Sequence, residues 1–256
     1  MAKIGLIGYG RMGHIIRDIA IERGHEVSVI VDPYCSTVNE KISKEINEKE
    51  FKDVDVCIDF SHPDEAIKNA KKLAGIGKNV VMATTGWYGH MDEMKKIVKD
   101  SGIGFIWSGN FSIGVNCFFR IVKEATKIMN NVKEYDPFLF EIHHNKKADS
   151  PSGTANMIGK IVVDNLDRKD TIVTDKLDRQ IKENELHVAS VRGGDVPGTH
   201  VVGFDSTFDT IELKHTARSR HGFGLGAVMA AEFLVGKKGF FEIDDLMYNL
   251  IDKGGD

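Results

Sequence analysis

Up to Phe111, apolar positions along the chain follow two alternating periods. Short apolar runs of strand length occur at Lys3–Ile7, Val27–Val31, Val54–Phe60, Asn79–Ala83 and Ile103–Trp107. Between them, apolar residues recur at helical spacing: Met12, Ile15, Ile16, Ile19 and Ala20; then Ala66, Ala70, Leu73 and Ala74; then Met94, Ile97 and Val98. Ser61 followed by Pro63 predicts an N-cap with proline in the first turn of the second of these helices. Strands that alternate with helices favour a parallel, doubly wound sheet covered on both faces, with ligands at the carboxyl ends of its strands. The charged stretch Lys44–Lys52 predicts a solvated helix face or a connection.

Beyond Phe111 the pattern changes. A helix with Phe118, Ile121, Val122, Ala125 and Met129 on one face leads to a strand over Tyr135–Ile142, in which Phe138, Phe140 and Ile142 alternate. A loop rich in His and Lys follows, and then a helix opened by Ser152-Gly153-Thr154 with Ala155, Ile158, Ile161, Val162 and Leu166 inside it. Strands dominate afterwards, at Leu186–Val191, Val201–Thr207 and Thr210–Thr216, with a hairpin turn at Asp205–Asp209. This predicts a smaller α+β domain with an open mixed sheet. The last two helices, carrying Leu225, Val228, Met229 and Phe233 and then Leu246 and Leu250, are expected to return to the first domain, because a doubly wound sheet needs helices on both faces.

The first strand runs into Gly8-Tyr9-Gly10-Arg11-Met12-Gly13 and a helix, and Asp32 ends the second strand nineteen residues after Gly13. That is the Rossmann dinucleotide fingerprint with its flanking elements and its acid in place. Gly8 permits the tight turn, Gly10 lets backbone approach a pyrophosphate, and Gly13 allows the helix to pack closely on the strand. Arg11 adds charge beside the phosphates, and Met12 belongs to the same loop. Asp32 suits the ribose hydroxyls of NADH and repels the 2′-phosphate of NADPH, and the residues after it are Pro33 and Tyr34, not arginine. NADH is therefore the expected donor, with NADPH as the alternative. Ala83-Thr84-Thr85-Gly86 and Ser108-Gly109-Asn110-Phe111 follow the fourth and fifth strands and offer small residues, hydroxyls and backbone donors on the same edge, for the nicotinamide. Arg220, within the second crossing between domains, is assigned to the same cofactor set. The domains expected are 1–111 for the dinucleotide, completed by 220–256, and 112–219 for substrate and oligomerisation, with hinges at Phe111–Val115 and Ala217–Gly222.

Composition narrows the class. At 256 residues and 41% hydrophobic content the chain can bury one large core or two modest ones. A net charge of −4 argues against a nucleic-acid partner. Cys35, Cys57 and Cys117 are odd in number and widely spaced, so neither a disulfide framework nor a zinc site is expected, and a reducing cytoplasm is the simplest location. No signal peptide is expected ahead of the first strand, and no apolar run reaches the roughly 18 residues of a membrane helix.

The densest chemistry lies in the run Glu141 to Ala155, which holds His143, His144, Lys146, Lys147 and a helix start at Ser152. A helix N-terminus presents unpaired N–H groups and partial positive charge to an anion, Lys147 adds a full charge, and an imidazole can deliver a proton near neutral pH. The run reads as an anion-binding catalytic loop, and equally well as a polar surface turn.

Taken with Asp59-Phe60-Ser61-His62-Pro63, Thr84-Thr85-Gly86, Asn110 to Asn116 and Val191-Arg192-Gly193-Gly194-Asp195, the glycine loop and the run Glu141 to Ala155 resemble the 4-hydroxy-tetrahydrodipicolinate reductases in order and spacing along nearly the whole chain. The resemblance implies reduction of a cyclic imine dicarboxylate with NADH or NADPH in lysine and diaminopimelate biosynthesis, by a homotetramer. It implies His143 as general acid/base, Lys147 as proton donor or electrostatic partner, and His144, Ser152, Gly153 and Thr154 around a substrate carboxylate. The chain departs from the family pattern in a glycine loop one residue shorter than the commoner form, in Ala83 where the first glycine before the two threonines is usual, and in Pro33 after Asp32. The polar stretch Asp167–Glu185 is short. These departures bear on cofactor preference and trimming, not on reaction class. Another Rossmann dehydrogenase acting on an amino acid or semialdehyde would share the glycine loop and Asp32 without the clustered His143, His144 and Lys147. A dinucleotide sensor would bind cofactor without turnover.

Overall fold

The computed structural model describes residues 1–35 and 42–251, and the chain divides into two compact units, Met1–Ile113 with the segment from Arg220 onward, and Gly114–Ser219. The first unit is built on a seven-stranded sheet: β1 (Lys3–Ile7), β2 (Glu26–Val31), β3 (Ile42–Ser43), β4 (Val56–Asp59), β5 (Asn79–Met82), β6 (Gly104–Trp107) and β12 (Gly239–Glu242). Every pairing is parallel, in the order β12-β6-β5-β4-β1-β2-β3. The order reverses between β1 and β4. The crevice at their carboxyl ends is the topological switch point of a doubly wound sheet, where ligands bind in such folds.

Strand residues alternate between two cores, as the two-residue period of a sheet buried on both faces requires. Ile4 and Leu6 of β1, Val56 and Ile58 of β4, Val81 of β5 and Ile106 of β6 face one core, with α1 (Arg11–Glu22), α7 (His221–Leu234) and α8 (Ile243–Ile251). Ile7, Cys57, Val80, Met82 and Phe105 face the other, with α3 (Pro63–Gly75) and α4 (Met91–Ser101). Two details differ from the sequence reading. The cap of α3 is His62, whose ring accepts from the Asp64 N–H at 3.4 Å, because the Ser61 hydroxyl turns inward to Asp59. Within Lys44–Lys52 lies a short helix, α2 (Glu48–Phe51), capped by Asn47, whose Phe51 is fully buried.

The second unit carries a five-stranded sheet of β7 (Asp136–His143), β8 (Thr171–Val173), β9 (Glu185–Arg192), β10 (Thr199–Asp205) and β11 (Thr210–Thr216), in the order β11-β10-β7-β9-β8. Pairing is antiparallel on the β10 and β11 side and parallel on the β9 and β8 side, so the sheet is mixed. α5 (Ile113–Asn130) and α6 (Gly153–Asp164) supply Val115, Phe118, Phe119, Val122, Ala155, Ile158 and Val162 to a core with Leu139, Val188, Val202 and Phe204 from the strands. Strands β3, β8 and β12, of two to four residues, were not predicted from the sequence.

Phe111, at the edge of the switch-point crevice, is set by Gly226 of α7, where a β-carbon would lie 1.6 Å from the Phe111 carbonyl oxygen. Backbone cannot yield as a flexible side chain can. Gly226→Ala is therefore expected to destabilise the protein by at least the ~1–3 kcal/mol of core overpacking, read as a lowered urea midpoint, and a wild-type midpoint would show that α7 and Phe111 can part freely.

Candidate functional site

Two hollows of the first unit open at the carboxyl ends of its strands and share Phe60 and Ser61, the residues that follow β4. One, of about 340 Å³, is lined by Met12, Ala83, Thr84, Thr85, Ser108, Gly109, Asn110, Phe111 and Arg220, all assigned to cofactor from the sequence, together with Phe60, Ser61, Pro63 and Phe223, which were not. The other, of about 680 Å³, holds Gly8, Gly10 and Asp32, with Tyr34, Lys44, His62 and Lys72 among residues the sequence reading did not assign. Arg11 and Gly13 line neither. Arg11 is exposed at the start of α1, and Gly13 is buried with a β-carbon position 2.6 Å from the Gly8 carbonyl oxygen, so its place is in helix packing.

Three features define the glycine loop. Gly8 sits at φ +90, where a side chain is strained, and a β-carbon on it would meet the Phe60 carbonyl oxygen at 2.5 Å. Gly10 is the N-cap of α1 with nothing within 4 Å of its missing β-carbon, which leaves open space before the first-turn N–H groups. Asp32 accepts from the Tyr9 N–H at 2.8 Å on one oxygen and from the Tyr34 and Cys35 N–H groups at 2.8 and 3.0 Å on the other. The acid predicted for a ribose therefore also ties the glycine loop to the turn after β2.

Beneath the shared wall lies Asp59, fully buried at the end of β4. It accepts from the Ser61 N–H (2.9 Å) and hydroxyl (2.6 Å), the Thr84 hydroxyl (2.8 Å) and the Asn69 amide (3.0 Å). Burial pushes its carboxyl above the usual range against these donors. Its signal in the sequence was an acid closing an apolar run.

In the second unit, β7 delivers Glu141 and His143 to one place. Glu141 is fully buried, and its carboxylate accepts from the Ser152 N–H (2.9 Å), the Ser152 hydroxyl, the Ser190 hydroxyl (2.9 Å) and the Arg192 guanidinium (2.7 Å). Burial raises its pKa, but hydrogen bonds from His200, Ser152 and Arg192 outweigh burial and hold it well below the usual carboxylate range. His143 is 8% exposed, with Nε2 3.3 Å from Glu141 Oε2. Among the described residues this nitrogen has no hydrogen-bond partner. Burial lowers the His143 pKa; Glu141 opposes, and His200, Lys147 and Arg192 reinforce. Glu141, His143 and His200 bring potential metal-ligand atoms within 4.8 Å of one another, yet the carboxylate is already committed to a guanidinium and a hydroxyl, which is the pairing of an anchored anion.

Ser152, expected to face substrate, is 2% exposed; both its donors go to Glu141, and its oxygen caps α6 by accepting from the Ala155 N–H at 3.1 Å. It supports the loop from beneath. Lys147 donates to both Asp149 oxygens at 2.7 and 2.9 Å, so the ammonium predicted to meet a carboxylate already holds one from its own loop. His144, half-buried, has its N–H on the Val196 carbonyl at 2.8 Å, and Gly153 and Thr154 form the first turn of α6. Glu141, Ser190, Arg192 and His200 were not predicted as site residues, because their partnerships join strands far apart in the chain.

Models of the N-terminal and C-terminal parts of dihydrodipicolinate reductase match residues 2–111 and 114–247. The chain belongs to the dihydrodipicolinate reductase family. Among relatives, the 4-hydroxy-tetrahydrodipicolinate reductase of Christiangramia forsetii is 37% identical over 97% of this chain and 98% of its own, and that of Archaeoglobus fulgidus 37% identical over 93% and 96%. A dipicolinate-bound dihydrodipicolinate reductase from Paenisporosarcina sp. TG-14 superposes with a TM-score of 0.77 over 96% of this chain and 99% of that one, at 17% identity. Within this dihydrodipicolinate reductase family member, fold and family are those of an NAD(P)-binding oxidoreductase.

The imidazoles give the second unit an acid sensitivity. Burial pushes His143 and His215 below the ordinary imidazole value, so as pH falls the unfolded chain takes up a proton at each before the folded chain does. Their contribution to stability is thus complete above about pH 6.5 and is lost below it. Urea midpoints are expected to decline on acidification through that value, with a shallower decline in His215→Gln; equal slopes in the two proteins would contradict this account.

Proposed function

We propose that this chain reduces 4-hydroxy-tetrahydrodipicolinate, by way of the conjugated imine formed on loss of water, to tetrahydrodipicolinate in lysine and diaminopimelate biosynthesis. The observation that carries the reading is the loop Glu141 to Ala155 of a member of this family, in which a buried imidazole, an ammonium group and a helix start lie together on one loop. The fit to a dinucleotide rests on the open space before Gly10 and on two hollows that meet at Phe60 and Ser61 at the switch point. When bound, the nicotinamide supplies a hydride to the imine.

The chain's own residues supply the rest. Met12, Ala83, Thr84, Thr85, Ser108, Gly109, Asn110, Phe111 and Arg220 hold the nicotinamide side, while Gly8, Gly10, Arg11 and Asp32 hold the pyrophosphate and adenosine ribose, with Gly13 keeping the helix close. Lys147, His144 and the Gly153 and Thr154 turn bind a substrate carboxylate, with Asp149 giving up its place on Lys147. Hydride transfer requires reacting carbons within roughly 3–3.5 Å, so a substrate oriented by its carboxylate is what the chemistry needs. His143 delivers the proton to the enamine carbon that gains negative charge, and Lys147 stabilises that charge. The negative substrate favours the protonated imidazole and so offsets the effect of burial.

NADH is the preferred donor in this reading, because the Asp32 carboxylate lies in the adenosine-side hollow; Lys44, which donates to the Pro33 and Cys35 carbonyls at its rim, makes NADPH the alternative. A homotetramer in the cytoplasm completes the proposal, supported by the edge strand β11, which leaves Ile211 and nearby Phe208 exposed, and by three free cysteines. Among the described residues no helix is long and apolar enough to cross a membrane. The tetramer is tested by mass in solution.

The test is oxidation of NADH and NADPH in an assay coupled to dihydrodipicolinate synthase. Rapid, substrate-dependent oxidation is expected, with turnover reduced ~10²–10⁴-fold in His143→Gln at unchanged NADH affinity; no oxidation by folded protein that binds NADH would point to another dehydrogenase or a sensor. Asp32→Asn, which keeps one acceptor oxygen for the loop, is expected to move the ratio of NADH to NADPH affinity towards NADPH, and an unmoved ratio would mean that the ribose is held elsewhere.

A further inference from the structure

We propose that Glu141 is the positioning residue of the proton-transfer site, gathering Ser152, Ser190 and Arg192 into one frame beneath His143 and setting its negative charge against that imidazole. The inference rests on His143 being the proton donor.

Three observations converge on it. Glu141 is fully buried and comes from β7, the middle strand of the five-stranded sheet, where its backbone is paired on both sides, opposite His200 of β10 and Ser190 of β9. Its four hydrogen-bond donors come from two separate segments: Ser152 opens α6, and Ser190 and Arg192 lie on β9. Arg192 also donates to the Asp149 carbonyl at 2.6 Å, which ties the Lys147 loop into the same frame. Then there is the imidazole itself. Its Nε2 stands 3.3 Å from Glu141 Oε2, while Gly198 lies against the ring, with a β-carbon position 2.8 Å from His143 Cε1. The ring is confined between a carboxylate and backbone.

The charges facing His143 decide what the carboxylate does. Among the described groups that act most strongly on it, Glu141 on its own strand is the anion; His200 on β10, Arg192 on β9 and Lys147 on the following loop all oppose its protonation, as does burial. Without Glu141 nothing in that set would favour the charged ring. A carboxylate at this separation typically moves a neighbour's titration by about one to three pH units. Glu141 therefore sets the pH range in which His143 can donate, besides building the frame.

The experiment is the pH dependence of kcat for wild type, Glu141→Gln and His143→Gln, with NADH binding measured on each. If His143 donates the proton, wild-type kcat falls on an alkaline limb and His143→Gln abolishes that limb; a limb that survives in His143→Gln defeats the donor assignment, and this proposal with it. Given the limb, Glu141→Gln is expected to move it to lower pH by about one to three units with NADH affinity unchanged. A limb at its wild-type position, with kcat lower by one factor at every pH, would overturn the proposal and leave Glu141 a structural role only. Should Glu141→Gln fail to fold, Glu141→Asp draws the charge back by one methylene and is expected to move the limb in the same direction by a smaller amount, and an unmoved limb there overturns the proposal equally.

Discussion

A carboxylate removed from water must be surrounded by donors or surrender its charge, and each unit of this protein places one such group at or near the end of its middle strand. Asp59 closes β4, fourth of seven strands, and Glu141 lies two residues before the end of β7, third of five. The donors that satisfy them come from the loops of the candidate site and from the elements beside them: Ser61 and Thr84 after β4 and β5 with Asn69 of α3 around Asp59; Ser152 at the start of α6 with Ser190 and Arg192 of β9 around Glu141. Irregular backbone at the strand ends is thereby fixed by an obligation of the core. Leaving a buried donor or acceptor unpaired costs about 1–3 kcal/mol, more for a charge, so these loops cannot relax independently.

The two acids meet that constraint differently. Asp59 has neutral donors only, and burial carries its pKa upward; Glu141 has a guanidinium at 2.7 Å, and its donors overcome burial. One is a neutral-leaning knot that shapes a wall shared by two hollows. The other is a fixed negative charge next to an imidazole. The same topological position thus yields shape in the first unit and shape with electrostatics in the second.

What the sequence made legible was local. The glycine loop, its helix and Asp32 lie within one strand-helix-strand span, and the loops after β5 and β6 follow their strands directly, so period and spacing pointed to eight residues that line one hollow. Glu141 stood in a motif, but its role depends on Ser190 and Arg192, 49 and 51 residues away, and Asp59 depends on Thr84, 25 residues away. No period encodes such pairings. Ser61 and Ser152 show the same limit from the other side: both carry the chemistry of caps, and while Ser152 is one, each hydroxyl donates to a buried carboxylate that spacing does not reveal. The short strands β3, β8 and β12 exist because a neighbouring strand offers an edge.

The fastening of the glycine loop by Asp32 has a consequence for how such a protein can change. Three N–H groups, of Tyr9, Tyr34 and Cys35, use this carboxylate as acceptor. Replacing it with a residue that welcomes a phosphate would strand those donors and loosen the turn that approaches the cofactor. The easier evolutionary route is to leave the acid in place and add positive charge around the rim, where Lys44 and Lys72 already stand. On the proposed placement of the adenosine end, the residue that sets cofactor choice is also one the fold needs, so cofactor choice would change by decorating the rim and not by editing its anchor.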